Sequence, residues 1–182
     1  MRQGKIVKKF KLGGQRVIFR YPEISDLAKL LDFINVMVAE KAHISNQKKL
    51  TLVQEKIWLD NQLRRIKGKE MVNLIVEIND NIMGGADIKK SKALVQRHVG
   101  IFGIILRKES RGKGISERLF KALIMEAKKF LKIKILKLEV FSVNKRAIAF
   151  YKKMGFQPVG TIKKGLLYYG RFLDEITMVK YL

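Results

Sequence analysis

Apolar and polar residues alternate along the chain with two periods, one typical of strands and one typical of helices. Short apolar or alternating runs predict strands at 5–12, 15–21, 71–78, 82–90, 99–106, 134–141, 156–162 continuing at 166–169, and 175–181. Apolar residues spaced three or four apart predict four helices, which begin near Ser25, Thr51, Ser116 and Asn144. The order of these elements predicts a single α/β fold built on a mixed sheet.

The stretch Val99–Lys121 has the layout of an anion-binding site. Its apolar first part suits a buried strand, and a helical pattern begins beyond Ser116. Between them, Gly112 and Gly114 allow the backbone to approach a ligand closely, and the free N–H groups of the first helical turn would point at an anion. The spacing fits neither the nucleotide P-loop nor the dinucleotide fingerprint. A simple turn with a helix cap is the structural alternative.

A second group of candidate residues follows the strand at 134–141. Asn144 is a good N-cap, and the helix that it begins carries four residues on one face: Ala147, Ile148, Tyr151 and Met154. A tyrosine on this inward face is equally compatible with a core residue whose hydroxyl needs one partner. Gly155 then ends the helix, as glycine commonly does.

These two groups resemble the motifs of the GNAT superfamily of N-acetyltransferases. The pattern Arg-x-x-Gly-x-small, here Arg111, Gly114 and Ser116, resembles the loop that holds the diphosphate of acetyl-coenzyme A in that superfamily. Ser116 departs from the usual glycine or alanine, although it is still small. The pattern from Asn144 to Phe156 resembles the second conserved block, and the two motifs occur in the family's order.

The resemblance extends over about 15–182 and implies a single acetyltransferase domain, 1–182. The implied fold is a mixed, mostly antiparallel twisted sheet flanked by helices, with splayed central strands. Residues 1–14 would be an added N-terminal strand. The stretch Tyr168–Met178 resembles the terminal hairpin of relatives that acetylate free amino acids, polyamines or protein N-termini. Homodimers are frequent among such relatives, so a homodimer is also compatible with the resemblance.

The resemblance implies acetyl-CoA as co-substrate and gives roles to individual residues. Tyr151 would be the catalytic acid that protonates the departing thiolate, and Asn144 would contact the pantetheine arm. The diphosphate would lie on the loop residues Arg111, Gly112, Lys113, Gly114, Ile115 and Ser116. The preceding strand has no polar side chain, so only its main-chain N–H groups could polarise the thioester carbonyl; we expect those near Ile104, Ile105 and Leu106 to do so.

The sequence departs from many relatives at the expected general base. Those relatives often carry a glutamate in the central strand, and we expect Ile101 to be the aligned position here. Glu139, Asp87 and His98 are the remaining candidates, each with a plain structural alternative. At pH 7 a lysine side chain is neutral in about one molecule in 2,500, whereas an α-amine is neutral in about one in ten. Without a strong base, we therefore expect an α-amine acceptor, either a free amino acid or a peptide or protein N-terminus.

The acceptor pocket is expected from the first helices and the final hairpin, roughly 33–44 and 166–174. Glu40, Asp174 and Glu175 could attract a cationic amine, although surface ion pairs explain them equally well. These segments do not identify the acceptor.

Composition excludes several kinds of chemistry. The chain has no cysteine, so disulfides, thiol catalysis and cysteine-bound metals are excluded. His43 and His98 lack the spacing of a helical metal pair, and we expect no metal. The N-terminus lacks the apolar core of a signal peptide, and no stretch approaches the ~20 apolar residues of a membrane helix. We expect a cytoplasmic protein without membrane contact.

The high net positive charge adds binding of nucleic acid to the functions that the sequence leaves open. The chain carries 39 Lys and Arg against 16 Asp and Glu, a net charge of +23 that would attract polyanions and an anionic cofactor. The lysines are scattered along the sequence, and no motif of nucleic-acid-binding proteins accompanies them. Three classes stay open: an N-acetyltransferase, with polyamine or ribosomal-protein acceptors as variants; a non-catalytic acyl-CoA-binding relative; and a module that contacts RNA or the ribosome.

Overall fold

The computed structural model describes residues 2–182 and contains one sheet flanked by helices. The strands are β1 (Ile6–Leu12), β2 (Gln15–Arg20), β3 (Met71–Ile78), β4 (Asn81–Lys90), β5 (Val99–Leu106), β6 (Ile135–Phe141), β7 (Gln157–Tyr168) and β8 (Arg171–Tyr181). The helices are α1 (Leu27–Ala39), α2 (Leu52–Lys67), α3 (Ile115–Phe130) and α4 (Lys145–Lys153). The strands lie in the order β1-β2-β3-β4-β5-β6-β8-β7. Adjacent strands run antiparallel, except that β5 and β6 are parallel. This arrangement confirms the predicted mixed, mostly antiparallel sheet.

The sheet is covered on both faces, and β3 is buried along its whole length. On one face, α3 packs Leu119, Leu123 and Ala127 into the main core. On the other face, α1 and α2 bury a smaller apolar cluster that includes Phe33 and Leu59. Burial of this kind on both faces is the main stabilising contribution of the fold.

The parallel strands β5 and β6 pair only where they begin. Residues 99–101 pair with 135–137, and beyond Ile101 no ladder joins the two strands. The opposite edge of β5 stays paired with β4 as far as Leu106. The free edge of β5 therefore faces an opening in the sheet, which confirms the predicted splayed central strands.

Helix α1 does not begin with Ser25 as its cap, so that prediction is wrong. The chain instead enters α1 through a 3₁₀ turn, Ile24–Asp26, which is capped by Glu23. The Asp26 carboxylate accepts hydrogen bonds from the Glu23 backbone at 2.9 Å and from the Arg20 guanidinium at 2.7 and 2.8 Å. Arg20 also donates to Glu77 at 2.8 Å, so one buried arginine joins β2, β3 and the start of α1.

The buried face of α2 also differs from the prediction, which placed Trp58, Leu59 and Leu63 on it. The buried residues are Glu55, Leu59, Gln62 and Ile66, whereas Trp58 is 38% exposed. This stripe follows the helical period from Leu59, and Trp58 lies about a quarter-turn away from it. Two polar side chains are thus buried, and burial raises the pKa of Glu55 to about 7.

The final hairpin is longer than predicted. Strands β7 and β8 meet at a tight turn in which Tyr169 and Gly170 have φ values of 45° and 77°. The gap predicted between Ile162 and Leu166 is a register irregularity within β7 rather than a break between strands. The hairpin therefore projects farther along the opening beside β6.

We expect the substitution Asp26→Ala to destabilise the fold by about 3 kcal/mol, because it leaves the buried Arg20 with one carboxylate fewer. Urea denaturation followed by circular dichroism measures this loss. The control is Lys56→Ala, which removes an exposed ion pair with Asp60 (N···O 3.0 Å) and should cost about 0.5 kcal/mol or less. Equal losses in the two variants would contradict a structural role for the buried network.

Candidate active site

A cavity of about 750 Å³ lies where β5 and β6 separate. One wall is the free end of β5, formed by Ile104, Ile105 and Leu106. The opposite wall is the end of β6, formed by Glu139, Val140 and Phe141. Because β5 has lost its partner here, alternate backbone N–H groups on its free edge are available to a ligand.

The loop between β5 and α3 holds the backbone in a conformation that requires glycine. Gly112 and Gly114 have φ values of 79° and 73°. Gly114 is the N-cap of α3, and no side chain caps the helix. A Cβ atom at Gly114 would meet no atom within 4 Å, so the space beside it is open. The first-turn N–H groups are therefore available to an anion.

Two arginines add positive charge beside this loop, and both line the cavity. Arg111 donates from Nε to the Leu106 carbonyl at 2.8 Å, and its Nη2 lies 3.9 Å from the Glu40 carboxylate. Arg146 lies on the first turn of α4, and its Nη2 lies 3.5 Å from the position a Cβ on Gly112 would occupy. The two guanidiniums and the N-terminal end of α3 make this part of the cavity suited to a phosphate group.

Tyr151 lies on the inward face of α4 and lines the same cavity. It is 7% exposed and packs against Phe102, Phe150 and Phe156 at centroid distances of 6.1, 5.6 and 5.9 Å. Burial raises the pKa of its hydroxyl to about 12. The hydroxyl is therefore protonated at neutral pH and can donate a proton or a hydrogen bond.

Asn144 begins α4, as predicted, and lines the cavity. Its Oδ1 accepts a hydrogen bond from the Ala147 backbone at 3.2 Å. The cap orients the first turn of α4 toward the opening, which places Arg146 near the glycine loop and Tyr151 one turn farther along.

The acidic lining residues include Glu139 and Glu175, which lie on the neighbouring strands β6 and β8. Burial, and then the charge of Glu139, raise the pKa of Glu175. Asp174 does not line the cavity, because its carboxylate is held by Lys163 at 2.8 Å and by the Lys164 backbone at 2.9 Å. Glu40 and Glu175 are thus brought to the cavity as candidate acceptor-binding residues, and Asp174 is not.

Of the three candidate bases, only Glu139 lines the cavity. Asp87 lies on β4 opposite Gly103, where burial raises its pKa and Lys89, 3.4 Å away, opposes that shift. His98 is exposed, and its carbonyl accepts hydrogen bonds from the Lys134 and Ile135 backbone.

A loop and the tip of the final hairpin close the far side of the cavity. The loop, residues 40–47, lies between α1 and α2. Tyr168 donates from its hydroxyl to the Ala42 carbonyl at 2.7 Å. Gln47 donates from Nε2 to the Leu167 carbonyl at 2.9 Å, and its Oε1 accepts a hydrogen bond from the Tyr169 backbone N–H at 2.8 Å. These segments overlap the ranges 33–44 and 166–174, and their role as the acceptor pocket stays a prediction.

Seven of the residues predicted for the site line the cavity: Ile104, Ile105, Leu106, Arg111, Ser116, Asn144 and Tyr151. The other four, Gly112, Lys113, Gly114 and Ile115, belong to the adjoining loop and helix start, where the Ile115 side chain is buried in the core.

Sequence reasoning missed Arg146 and gave no individual role to His43, which lies in the expected range 33–44; both residues line the cavity. The position of Arg146 could have indicated a function. A cation in the first turn of a helix is unfavourable because it opposes the helix dipole, so its presence there suggests a role in binding. His43 lies in an irregular loop, 5.2 Å from the Phe141 ring centroid, and no local pattern marks it.

Within residues 2–182, no group of three or more His, Asp or Glu side chains could hold a metal ion. The described helices include none that is long and apolar enough to cross a bilayer.

The fold and the cavity together are those of an acetyltransferase: a sheet split between two parallel strands, with a helix N-terminus at the split. The model of the Acetyltransferase (GNAT) family matches residues 39–156. The chain belongs to this family, which confirms the resemblance of its two motifs.

Individual relatives agree with this assignment. The L-amino acid N-acetyltransferase AaaT of Escherichia coli (strain K12) is 30% identical over 107 residues, which cover 59% of this chain and 66% of that protein, just under two thirds of its length. The ribosomal-protein-alanine N-acetyltransferase of Brucella melitensis superposes with a TM-score of 0.80 at 28% identity, covering 90% of this chain and 99% of that one. The protein yncA of Salmonella typhimurium, solved with its cofactor acetyl-CoA, has a TM-score of 0.79 at 20% identity over 91% of this chain and 94% of that one, and shares the fold.

Proposed function

We propose that this protein transfers the acetyl group of acetyl-CoA to an α-amine, either of a free amino acid or of a peptide or protein N-terminus. The observation that carries the proposal is a single cavity lined by the free edge of β5, a buried tyrosine and three carboxylates, Glu40, Glu139 and Glu175. The relatives named for L-amino acids and for a ribosomal-protein alanine are consistent with an α-amine. The cytoplasmic location expected from the sequence stays a prediction, and the homodimer and the ribosome contact stay open alternatives.

The cationic part of the cavity fits the diphosphate of acetyl-CoA. Gly114 leaves the first-turn N–H groups of α3 uncapped, and Arg111 and Arg146 supply charged donors beside them. Asn144 and Ser116 line the path between this loop and Tyr151. The bound co-substrate supplies a thioester that reacts with an amine.

The remaining groups suit the proton and charge movements of acyl transfer. The amine nitrogen forms a bond to the acetyl carbon, and the bond from that carbon to sulfur breaks. Backbone N–H groups on the free edge of β5 stabilise the negative charge on the carbonyl oxygen. Glu175, assisted by Glu139, accepts the proton that the amine loses, and Tyr151 gives a proton to the departing sulfur.

The weak bases of the site favour an α-amine over a lysine side chain. Burial raises the pKa of Glu175 and so narrows its gap to the pKa of an α-amine, near 8, which is itself lower than that of a lysine, near 10.4. At neutral pH, removing a proton from an α-ammonium therefore costs much less free energy than removing one from a lysine side chain.

We expect Gly114→Ala to weaken coenzyme A binding about tenfold, because an alanine at positive φ strains the turn that presents the α3 N–H groups. Isothermal titration calorimetry with coenzyme A measures the affinity. Gly14→Ala is the matched control: Gly14 also has positive φ (+77°) and open space around it, but it lies in the β1–β2 turn. Both variants should lose about 1 kcal/mol of stability; equal affinities in both would contradict the proposed diphosphate site.

We expect Tyr151→Phe to lower kcat about 100-fold, because the thiolate then leaves without a proton donor. The affinity for coenzyme A should change by less than about twofold, since the ring and its packing are retained. Stopped-flow measurement of thiol release gives kcat. Tyr181→Phe, which removes a hydroxyl from a tyrosine that is 75% exposed, should leave kcat unchanged. A normal kcat in Tyr151→Phe would mean that another group supplies the proton.

We expect α-amines to be acetylated with kcat/KM at least about tenfold above that of lysine blocked at its α-amine, following the fractions of neutral amine. Thiol release at neutral pH across free amino acids, short peptides, blocked lysine and spermidine provides the comparison. The same panel with Glu175→Gln should show kcat/KM about tenfold or more below wild type, because the variant cannot accept a proton.

The control for that panel is Asp174→Asn, which removes the same charge from the neighbouring residue outside the cavity and should leave kcat/KM unchanged. Faster reaction with blocked lysine or spermidine would contradict the α-amine preference. Coenzyme A binding with no thiol release on any amine would instead favour the non-catalytic alternative.

A further inference from the structure

A second cavity, of about 430 Å³, lies away from the candidate active site and shares no lining residue with it. It is formed by the C-terminal half of α2, the end of β4 and the segment 91–98 that leads into β5. A hydrogen bond of 3.1 Å from Arg65 Nη2 to the Lys90 carbonyl holds two of its walls together.

The lining of this second cavity is strongly cationic. Five cations line it: Arg64, Arg65, Lys90, Lys92 and Arg97. Glu70 is the single acid among its described lining residues, and it is paired with Arg97. The pKa of Glu70 is lowered by Arg97 first, and also by Lys90 and Arg65. Four cations thus remain without a local carboxylate partner within the cavity, an arrangement that an anion would stabilise.

Gln62 supplies an independent indication of a ligand. It lines the second cavity and is only 6% exposed, and its Oε1 atom is buried without a hydrogen-bond partner. A buried acceptor without a partner is costly, so such groups are almost always satisfied. A ligand that fits this site would therefore bring a hydrogen-bond donor as well as negative charge.

We propose that the second cavity binds a ribose-phosphate unit, which combines these two properties. The phosphate oxygens accept hydrogen bonds from Arg64, Lys90 and Lys92. Because Gln62 Oε1 is buried, a ribose hydroxyl donates to it once the Gln62 side chain turns that atom toward the cavity. The 2′-hydroxyl is the group that distinguishes RNA from DNA at a binding site. The unit could belong to an RNA strand or to a free ribonucleotide. This function goes beyond acetyl transfer and does not depend on it.

The test is fluorescence anisotropy at physiological ionic strength, with a short labelled uridine RNA and a deoxyuridine DNA of the same length as probes. We expect the wild-type protein to bind the RNA about fivefold more tightly, the effect of one hydrogen bond. Gln62→Leu, which removes the buried acceptor at similar volume, should lower RNA affinity to that of the DNA. Thermal unfolding of this variant checks that the fold is intact.

A charge control separates the site from the general positive charge of the protein. Lys92→Ala should weaken RNA binding and reduce the slope of log affinity against log salt by about one. Lys8→Ala removes an equal charge from an exposed position on β1 and should leave affinity at the site unchanged. Acetyl transfer by both variants should match wild type.

Competition with uridine monophosphate identifies the source of the unit. Displacement of the RNA by the nucleotide at comparable concentration supports a free ribonucleotide, and RNA binding that resists it supports a strand. Equal affinity of wild type for RNA and DNA, equal losses in Lys92→Ala and Lys8→Ala, or no binding to any probe would overturn the proposal.

Discussion

The separation of β5 from β6 is the constraint on which the rest of the site depends. Three residues of each strand pair, and beyond Ile101 the strands diverge while β5 remains held by β4. A backbone edge exposed in this way has unpaired polar groups, which a folded protein ordinarily avoids. Here that edge becomes the wall of a cavity, and both α3 and α4 start beside it. The opening is compatible with stability because the other edge of β5 and the buried β3 strand keep the sheet rigid.

The main cavity is electrically asymmetric. Arg111, Arg146 and the N-terminal end of α3 make one part positive, with Glu40 beside Arg111, whereas Glu139 and Glu175 make the other part negative. Tyr151 lines the same cavity in an aromatic environment, and burial raises the pKa of its hydroxyl and keeps it protonated. A ligand with one anionic and one cationic end is therefore oriented by opposite fields before any specific contact is made.

Local patterns predicted most of the elements because helices such as α3 bury one face with the helical period and strands such as β4 alternate buried and more exposed residues. They failed where burial did not follow hydrophobicity: Glu55 and Gln62 are buried on α2, whereas Trp58 is exposed. The same limit applies to the site. Residues within the two motifs could be assigned from sequence, but the contribution of His43 depends on the loop 40–47 meeting a hairpin more than a hundred residues away, and no local period encodes that contact.

The hydrogen bonds between the loop 40–47 and the end of β7 have an evolutionary consequence. Gln47 and Tyr168 join two surface segments through backbone carbonyls, and neither segment contributes the main core. Insertions or exchanges in these segments would reshape the lining of the cavity without disturbing the central strands or the glycine loop. Relatives whose cavities differ should then vary most in these two segments, because the segments can change without loss of the folded core.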